Sequence, residues 1–176
     1  MRIAYVANIR FPTEKAHGKQ IAENCQALAN NGCNILLLIP TRKNYIAEDL
    51  FNFYGVSRNF AVKKLLCLDL LFLPLGKAIT FFIQSVTFAL SVLAFYIWKG
   101  KELDVIYTRD FILAATLSIT GKPIFLEIHD LPEKPTFFHR MIWRTVRGLI
   151  VISHGLQKEL IRHRIPKNKM SIARDG

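Results

Sequence analysis

The chain has 176 residues, 51% of them hydrophobic and 21% charged, enough for one domain with a real core and too few for two large ones. With 9 glycines and 7 prolines it is not a low-complexity chain, and its apolar content excludes disorder. Lys and Arg number 24 against 13 Asp and Glu, a net charge of +11 that favours an anionic partner: acidic lipid, a phosphorylated small molecule or nucleic acid.

Residues 2–7 (RIAYVA) form a continuous apolar run, the pattern of a strand buried on both faces. The run is too short for a signal-peptide core and no small-residue cleavage site follows it, so the expectation is a cytoplasmic protein. Cys25, Cys33 and Cys67 cannot complete a disulfide framework and match no metal-site spacing, which agrees with a reducing compartment. A loop over 8–17 ends at Gly18. Residues 19–31 then predict a helix, with Ile21, Cys25, Leu28 and Ala29 on one face. Asn30, Asn31 and Gly32 suit its C-terminal cap, and 34–39 (NILLLI) predict the second buried strand. Strand, helix and strand make a βαβ unit.

The stretch 42–98 departs from this rhythm. Residues 60–66 predict a further strand, 65–75 are apolar apart from Asp69 up to a break at Pro74 and Gly76, and 79–98 run twenty residues without a charge. That length suffices to cross a bilayer, with Lys77, Lys99 and Lys101 at the flanks giving no orientation. A helix covering the sheet and a helix lying in the membrane interface are the other two readings. Two arguments weigh against a span: Thr80, Gln84, Thr87 and Ser91 recur at helical spacing as one polar stripe, and a crossing would separate the early strands from the later ones.

The alternation then returns. Residues 104–108 (DVIYT), 123–128 (PIFLEI), 149–152 (LIVI) and 170–173 predict strands, and 111–119, 136–147 and 153–163 predict helices, the last with Ser153 as its N-cap. The expected fold is α/β, a doubly wound, mostly parallel Rossmann-like sheet with helices on both faces. From Lys134 onward ten Lys and Arg face two acids, Glu159 and Asp175; solvated helix faces or an anion-facing surface both account for the excess.

In such a sheet ligands sit beyond the carboxyl ends of the strands. The first loop delivers Gly18, Lys19 and Gln20 at a helix start, where open N–H groups and the helix dipole suit a phosphate. Glu127 and His129 project to the same face of their strand, and with Asp130 they form the densest polar cluster on any strand. A histidine beside a carboxylate is a candidate for acid–base work or for a fixed tautomer; the competing reading is a satisfied polar cluster closing the sheet. Arg109 and Asp110 follow a buried strand, as a site pair or as a local ion pair capping the next helix. No second histidine stands at ligand spacing, so no metal is expected.

Taken together, 1–40 (MRIAYVANIRFPTEKAHGKQIAENCQALANNGCNILLLIP), 51–65 (FNFYGVSRNFAVKKL), 104–110 (DVIYTRD), 123–132 (PIFLEIHDLP), 148–160 (GLIVISHGLQKEL) and 165–176 (IPKNKMSIARDG) resemble, in order, the N-terminal domain of the retaining GT-B glycosyltransferases of family four. His17 stands where that family carries a small residue. The resemblance implies transfer of a sugar from a nucleotide-diphosphate donor, a substrate and not a cofactor, without bound metal. It implies that residues 1–176 are one acceptor-side domain and that a C-terminal donor-binding domain or subunit, absent from this chain, supplies the acidic donor grip. On this pattern Gly18 approaches the diphosphate with its backbone N–H, Gln20 and Arg109 face acceptor or phosphate, and His129 sits beside the transferred sugar as the catalytic residue. Lys19, Glu127, Asp130 and Ser153 complete the expected substrate-binding set.

The expected function is therefore the acceptor-binding half of a glycosyltransferase, working on a glycan or lipid-linked acceptor at an anionic membrane surface, peripheral on its cytoplasmic face. The apolar 65–98 stretch and the basic 134–174 stretch motivate the membrane part. The alternative is a non-catalytic subunit that recruits a partner transferase to the membrane. Nucleic acid is not an expected partner, because no known module's interleaving of aromatic and basic residues is present.

Overall fold

The continuous apolar runs all become strands of one sheet. In the computed structural model, which describes residues 1–70 and 76–173, these are β1 (Arg2–Val6), β2 (Asn34–Pro40), β3 (Ala61–Leu65), β4 (Val105–Thr108), β5 (Ile124–Ile128), β6 (Gly148–Val151) and β7 (Met170–Ile172). They lie in the order β3-β2-β1-β4-β5-β6-β7, and every neighbouring pair is parallel. The order reverses at β1, whose Ile3 pairs with Ile35 of β2 on one side and Val105 of β4 on the other.

Because winding reverses there, right-handed crossovers send helices to opposite faces. One face carries α1 (Ala16–Asn30) and α2 (Leu50–Tyr54); the other carries α3 (Lys77–Lys99), α4 (Phe111–Leu117), α5 (Phe137–Thr145) and α6 (His154–Arg162). The two cores follow strand alternation. Ile3, Tyr5, Ile35, Leu37 and Ile39 pack with Ile21, Ala22 and Cys25 of α1, while Ala4, Val6, Leu38 and Ile106 pack with Phe88, Val92, Leu113 and Trp143 beyond the opposite face.

Helix boundaries follow their caps. Asp110 accepts from Leu113 N at 3.0 Å, Thr136 forms a reciprocal capping box with His139, and Ser153 accepts from Leu156 N at 3.2 Å, each satisfying an open N–H of a first turn. Two boundaries correct the sequence reading. The first helix starts at Ala16, three residues earlier than its apolar spacing indicates, with an N-cap, Lys15, whose side chain makes no capping bond. The five-residue α2, capped by Asp49 and closed by Gly55 in the left-handed conformation, was not anticipated.

The long apolar helix covers the sheet. Its ends join β3 and β4, which belong to one sheet on either side of β2 and β1, a connection incompatible with a bilayer between them. The remainder of the apolar 65–75 segment, including Pro74, and the closing residues Arg174, Asp175 and Gly176 lie outside the described residues.

Candidate functional site

Parallel strands deliver their carboxyl ends to one rim, and at β1, β4 and β5 that rim opens into a cleft of about 270 Å³ lined by Asn8, His17, Gln20, Arg109, Asp110 and His129. Behind two of these residues, Arg109 and His129, is a buried carboxylate. Glu127, the fourth residue of β5, is only 5% exposed. Its Oε1 lies 2.6 Å from Arg109 Nη2 and 2.6 Å from His129 Nε2, and its Oε2 accepts from the Tyr107 hydroxyl. Arg109 Nη1 donates on to Gln20 Oε1 at 2.9 Å, which ties the first turn and a half of α1 to the end of β4. A carboxylate is stable at this depth only because donors occupy both oxygens.

The geometry fixes the histidine. A carboxylate paired with a guanidinium is an acceptor only, so His129 Nε2 carries the hydrogen it presents to Glu127. Nδ1 is then the ring's remaining hydrogen-bonding atom. His129 and Arg109 also border a second recess of about 200 Å³, on the side of His139 and Trp143.

The electrostatics run the same way. Burial alone would lower the Arg109 guanidinium, but the Tyr5 hydroxyl, Glu127 and Tyr107 outweigh it and hold the group above its ordinary value. Burial, with Tyr5 and Glu127 beside it, pushes the Tyr107 phenol far up, so it remains a donor. His17 is pushed below its ordinary value by burial first, and then by Lys15, Arg109 and His129. The cleft thus holds one fixed guanidinium, Arg109, with the Asp110 carboxylate also on its lining.

Behind the cleft a polar relay reaches into α3. Gln84 Nε2 donates to Asn8 Oδ1 at 2.8 Å, and Asn8 Nδ2 donates to Ser85 Oγ at 2.9 Å and to Asp110 Oδ2 at 3.3 Å. Of the polar stripe of the long helix, Thr80 and Gln84 are buried, with Ser85 beside them, while Thr87 and Ser91 are half-buried.

Of the residues expected from sequence, Gln20, Arg109, Glu127 and His129 converge in one network. Gly18 does not offer the expected backbone donor: it lies inside the first turn of α1, and its N–H donates to Lys15 O at 2.9 Å. Its lack of a side chain answers to packing, because a Cβ there would fall 2.5 Å from Thr13 Cγ2 and closer still to the Tyr54 hydroxyl. Lys19 is exposed and pairs with Glu23 at 3.7 Å, away from the cleft. Asp130 is exposed at the border of the second recess, and the Ser153 hydroxyl is engaged in capping α6. Sequence reasoning missed Asn8 and His17 as cleft residues and Tyr107 as a partner of Glu127. Tyr107 was within reach of the period-two rule that paired Glu127 with His129, since it precedes Arg109, the residue just beyond β4, by two.

No protein-family model and no curated protein sequence matches the chain. Solved structures do. Apo UGT2 of Phytolacca americana superposes with a TM-score of 0.67 at 12% identity, over 99% of this chain and 51% of that one. The lipopolysaccharide outer core galactosyltransferase WaaB gives 0.60 at 12% identity, over 99% and 46%. UDP-GlcNAc 2-epimerase from Neisseria meningitidis gives 0.66 at 10% identity, over 98% and 46%. The chain spans about half the length of these proteins. What the likeness establishes is the fold: a parallel, doubly wound Rossmann-like domain that matches one half of a GT-B fold. It extends across transferases and epimerases alike and does not single out the family-four type.

Proposed function

We propose that the chain is the acceptor-side half of a nucleotide-sugar-dependent glycosyltransferase of the retaining family-four kind, acting at the cytoplasmic membrane surface on a lipid-linked or envelope-polysaccharide acceptor. The observation that carries this reading is the network at the strand rim in which Glu127 holds Arg109 and His129, and Arg109 holds Gln20, so that these last three line one cleft. The neighbouring structures support the chemistry: one is complexed with UDP-2fluoro-glucose and another is bound to UDP-GlcNAc.

In the transfer, an acceptor hydroxyl oxygen bonds to the anomeric carbon, the bond from that carbon to the diphosphate breaks, and the nucleoside diphosphate leaves with the electron pair and takes up the hydroxyl's proton. A second domain or subunit holds the nucleotide. This chain's part is to present the Arg109 guanidinium and the His129 ring where the sugar and its phosphate arrive. Glu127 holds the His129 ring in one tautomer and orientation, and Arg109, braced by Gln20 and Glu127, supplies fixed positive charge to an anionic leaving group.

The test is His129→Ala in the complete two-domain protein, following acceptor-dependent release of nucleoside diphosphate. Turnover falls about 100-fold or more while the circular dichroism spectrum is unchanged; undiminished turnover refutes the assigned role. The exposed apolar face of α3 also suits the second reading, a non-catalytic subunit that recruits a donor-binding partner to the membrane. On that reading His129→Ala leaves the partner's turnover as it was.

A further inference from the structure

The long helix α3 is apolar on both faces: Phe88, Ala89, Val92 and Tyr96 join the core beneath it. Two buried polar residues, Gln84 and Ser85, bond Asn8 on the inner face, and the outward stripe, Ile79, Phe82, Val86, Leu90, Ala94 and Ile97, is apolar at every position. The steps are three or four residues, so the stripe is continuous on one face over about 27 Å. Phe82 is 60%, Ile97 75% and Trp98 86% exposed, and only 33% of the helix's most apolar window is buried. A band of this length on a water-facing surface marks an interaction site.

Charge identifies the partner. Between residues 70 and 101 there is no Asp or Glu, and the charged residues are Lys77, Lys99 and Lys101. Lys63 of the edge strand adds a cation 5.1 Å over the Phe95 ring of the same helix. Near the C-terminal end of α3 a groove of about 370 Å³ opens between Leu93, Tyr96 and Ile97 and the turn holding Ile119. Lys122 lines it, donating to Leu103 O at 2.8 Å, and an ammonium has two further donors to offer. The Tyr96 hydroxyl is buried there without a hydrogen-bond partner among the described residues. Apolar walls with a lysine and a phenol suit an acyl chain and its phosphate.

We infer that α3 lies flat in the headgroup region of an anionic phospholipid bilayer, its outward stripe among the upper acyl carbons and the exposed Lys99 at its end among phosphates. Both helix ends return to the same sheet, so the helix lies in the membrane plane and the sheet stays in water. One consequence rests on the glycosyltransferase reading: Gln84 and Ser85 hold the cleft residue Asn8 from the inner face of the same helix, so the cleft stands about one helix diameter, roughly 10 Å, above the lipid. An acceptor group carried on a lipid headgroup reaches it without leaving the membrane.

The two tryptophans supply the readout, since Trp98 is on the proposed contact and Trp143 is 2% exposed. The full chain is titrated with phosphatidylcholine vesicles with and without phosphatidylglycerol. Expected are a blue shift and acrylamide protection with the anionic vesicles, both reversed by high salt, and both absent in Trp98→Phe although that variant still floats. Phe82→Glu with Ile97→Glu weakens flotation about tenfold or more with the circular dichroism unchanged. The inference is overturned by no anionic-vesicle binding at low salt, by equal flotation of the double variant, by retention after alkaline carbonate washing, or by a vesicle-free dimer that already protects Trp98. Lost vesicle binding with intact transfer to a soluble acceptor by the complete protein overturns docking alone. Intact vesicle binding without transfer from any nucleotide sugar overturns the function alone.

Discussion

Replacing Glu127 with Gln changes one atom's chemistry and leaves shape almost untouched, so its cost isolates the charge. The wild-type carboxylate is 5% exposed and faces an Arg109 side chain that is 14% exposed. Removing one partner of a buried ion pair strands the other, at a cost of about 3–5 kcal/mol. Tyr107 adds little to this, because its hydroxyl can turn to accept from the new amide. For a chain of 176 residues each kcal/mol moves the melting temperature by about 2–4 °C, so Glu127→Gln lowers it by roughly 6–20 °C. The decisive measurement is a double-mutant cycle by urea unfolding. Arg109→Met removes the stranded cation, and the combined variant should be more stable than the two single costs add up to, by about 2–3 kcal/mol. A single cost below about 1 kcal/mol, or additive costs, would falsify the claim that this pair organises the rim.

Gly18→Ala drives a Cβ against Thr13 and the Tyr54 hydroxyl, and that hydroxyl both accepts from Thr13 N and donates to Thr13 O. Overpacking of about 1–3 kcal/mol and two weakened hydrogen bonds of about 1 kcal/mol each, less about 1 kcal/mol of helix propensity, predict a loss of about 2–4 kcal/mol. Removing the clashing oxygen with Tyr54→Phe recovers part of it, and strictly additive costs would contradict the packing account. Below the ordinary value of 6.5, the unfolded chain binds a proton that His17 resists, because burial and the neighbouring cations lower its folded value. Stability therefore falls as pH drops through that region, and His17→Gln should flatten this segment of the urea-midpoint profile; an unaltered profile refutes the assignment. Cys25 is fully buried, and burial pushes its thiol up to about 12, so thiol reagents at mild alkaline pH label it only after unfolding. Rapid native labelling of Cys25 would show that the α1 face of the core is open.

The sheet was legible because parallel strands buried on both faces must be apolar without alternation, and runs such as NILLLI permit little else. The paired reach of Glu127 and His129 followed from strand periodicity, and the helix caps at Asp110 and Ser153 from residue type. The start of α1 was not legible, since Lys15 makes no side-chain cap and Gly18 imitates a turn. For α2 the signals existed, Asp49 before and Gly55 after, but five residues are too few for a periodicity to declare itself. The polar stripe of α3 was visible and its direction was not. Polar residues ordinarily face water, and only the folded position of Asn8, 76 residues before Gln84, explains why these turn inward. Arg109 showed the same limit: its ion pair with Glu127 crosses from β4 to β5 and belongs to no local pattern.

The strand order bears on how the molecule is made. β1 leaves the ribosome first yet ends in the middle of the sheet, and its second neighbour, β4, begins more than a hundred residues later, with Val105 opposite Ile3. Until that segment is synthesised, the nascent three-strand half presents Ile3 and Tyr5 along an unsatisfied edge, the kind of surface that recruits other chains. The helix that precedes β4 in the chain is α3, so early capture of its apolar stripe by lipid would hold the unfinished edge apart from other nascent copies while translation catches up.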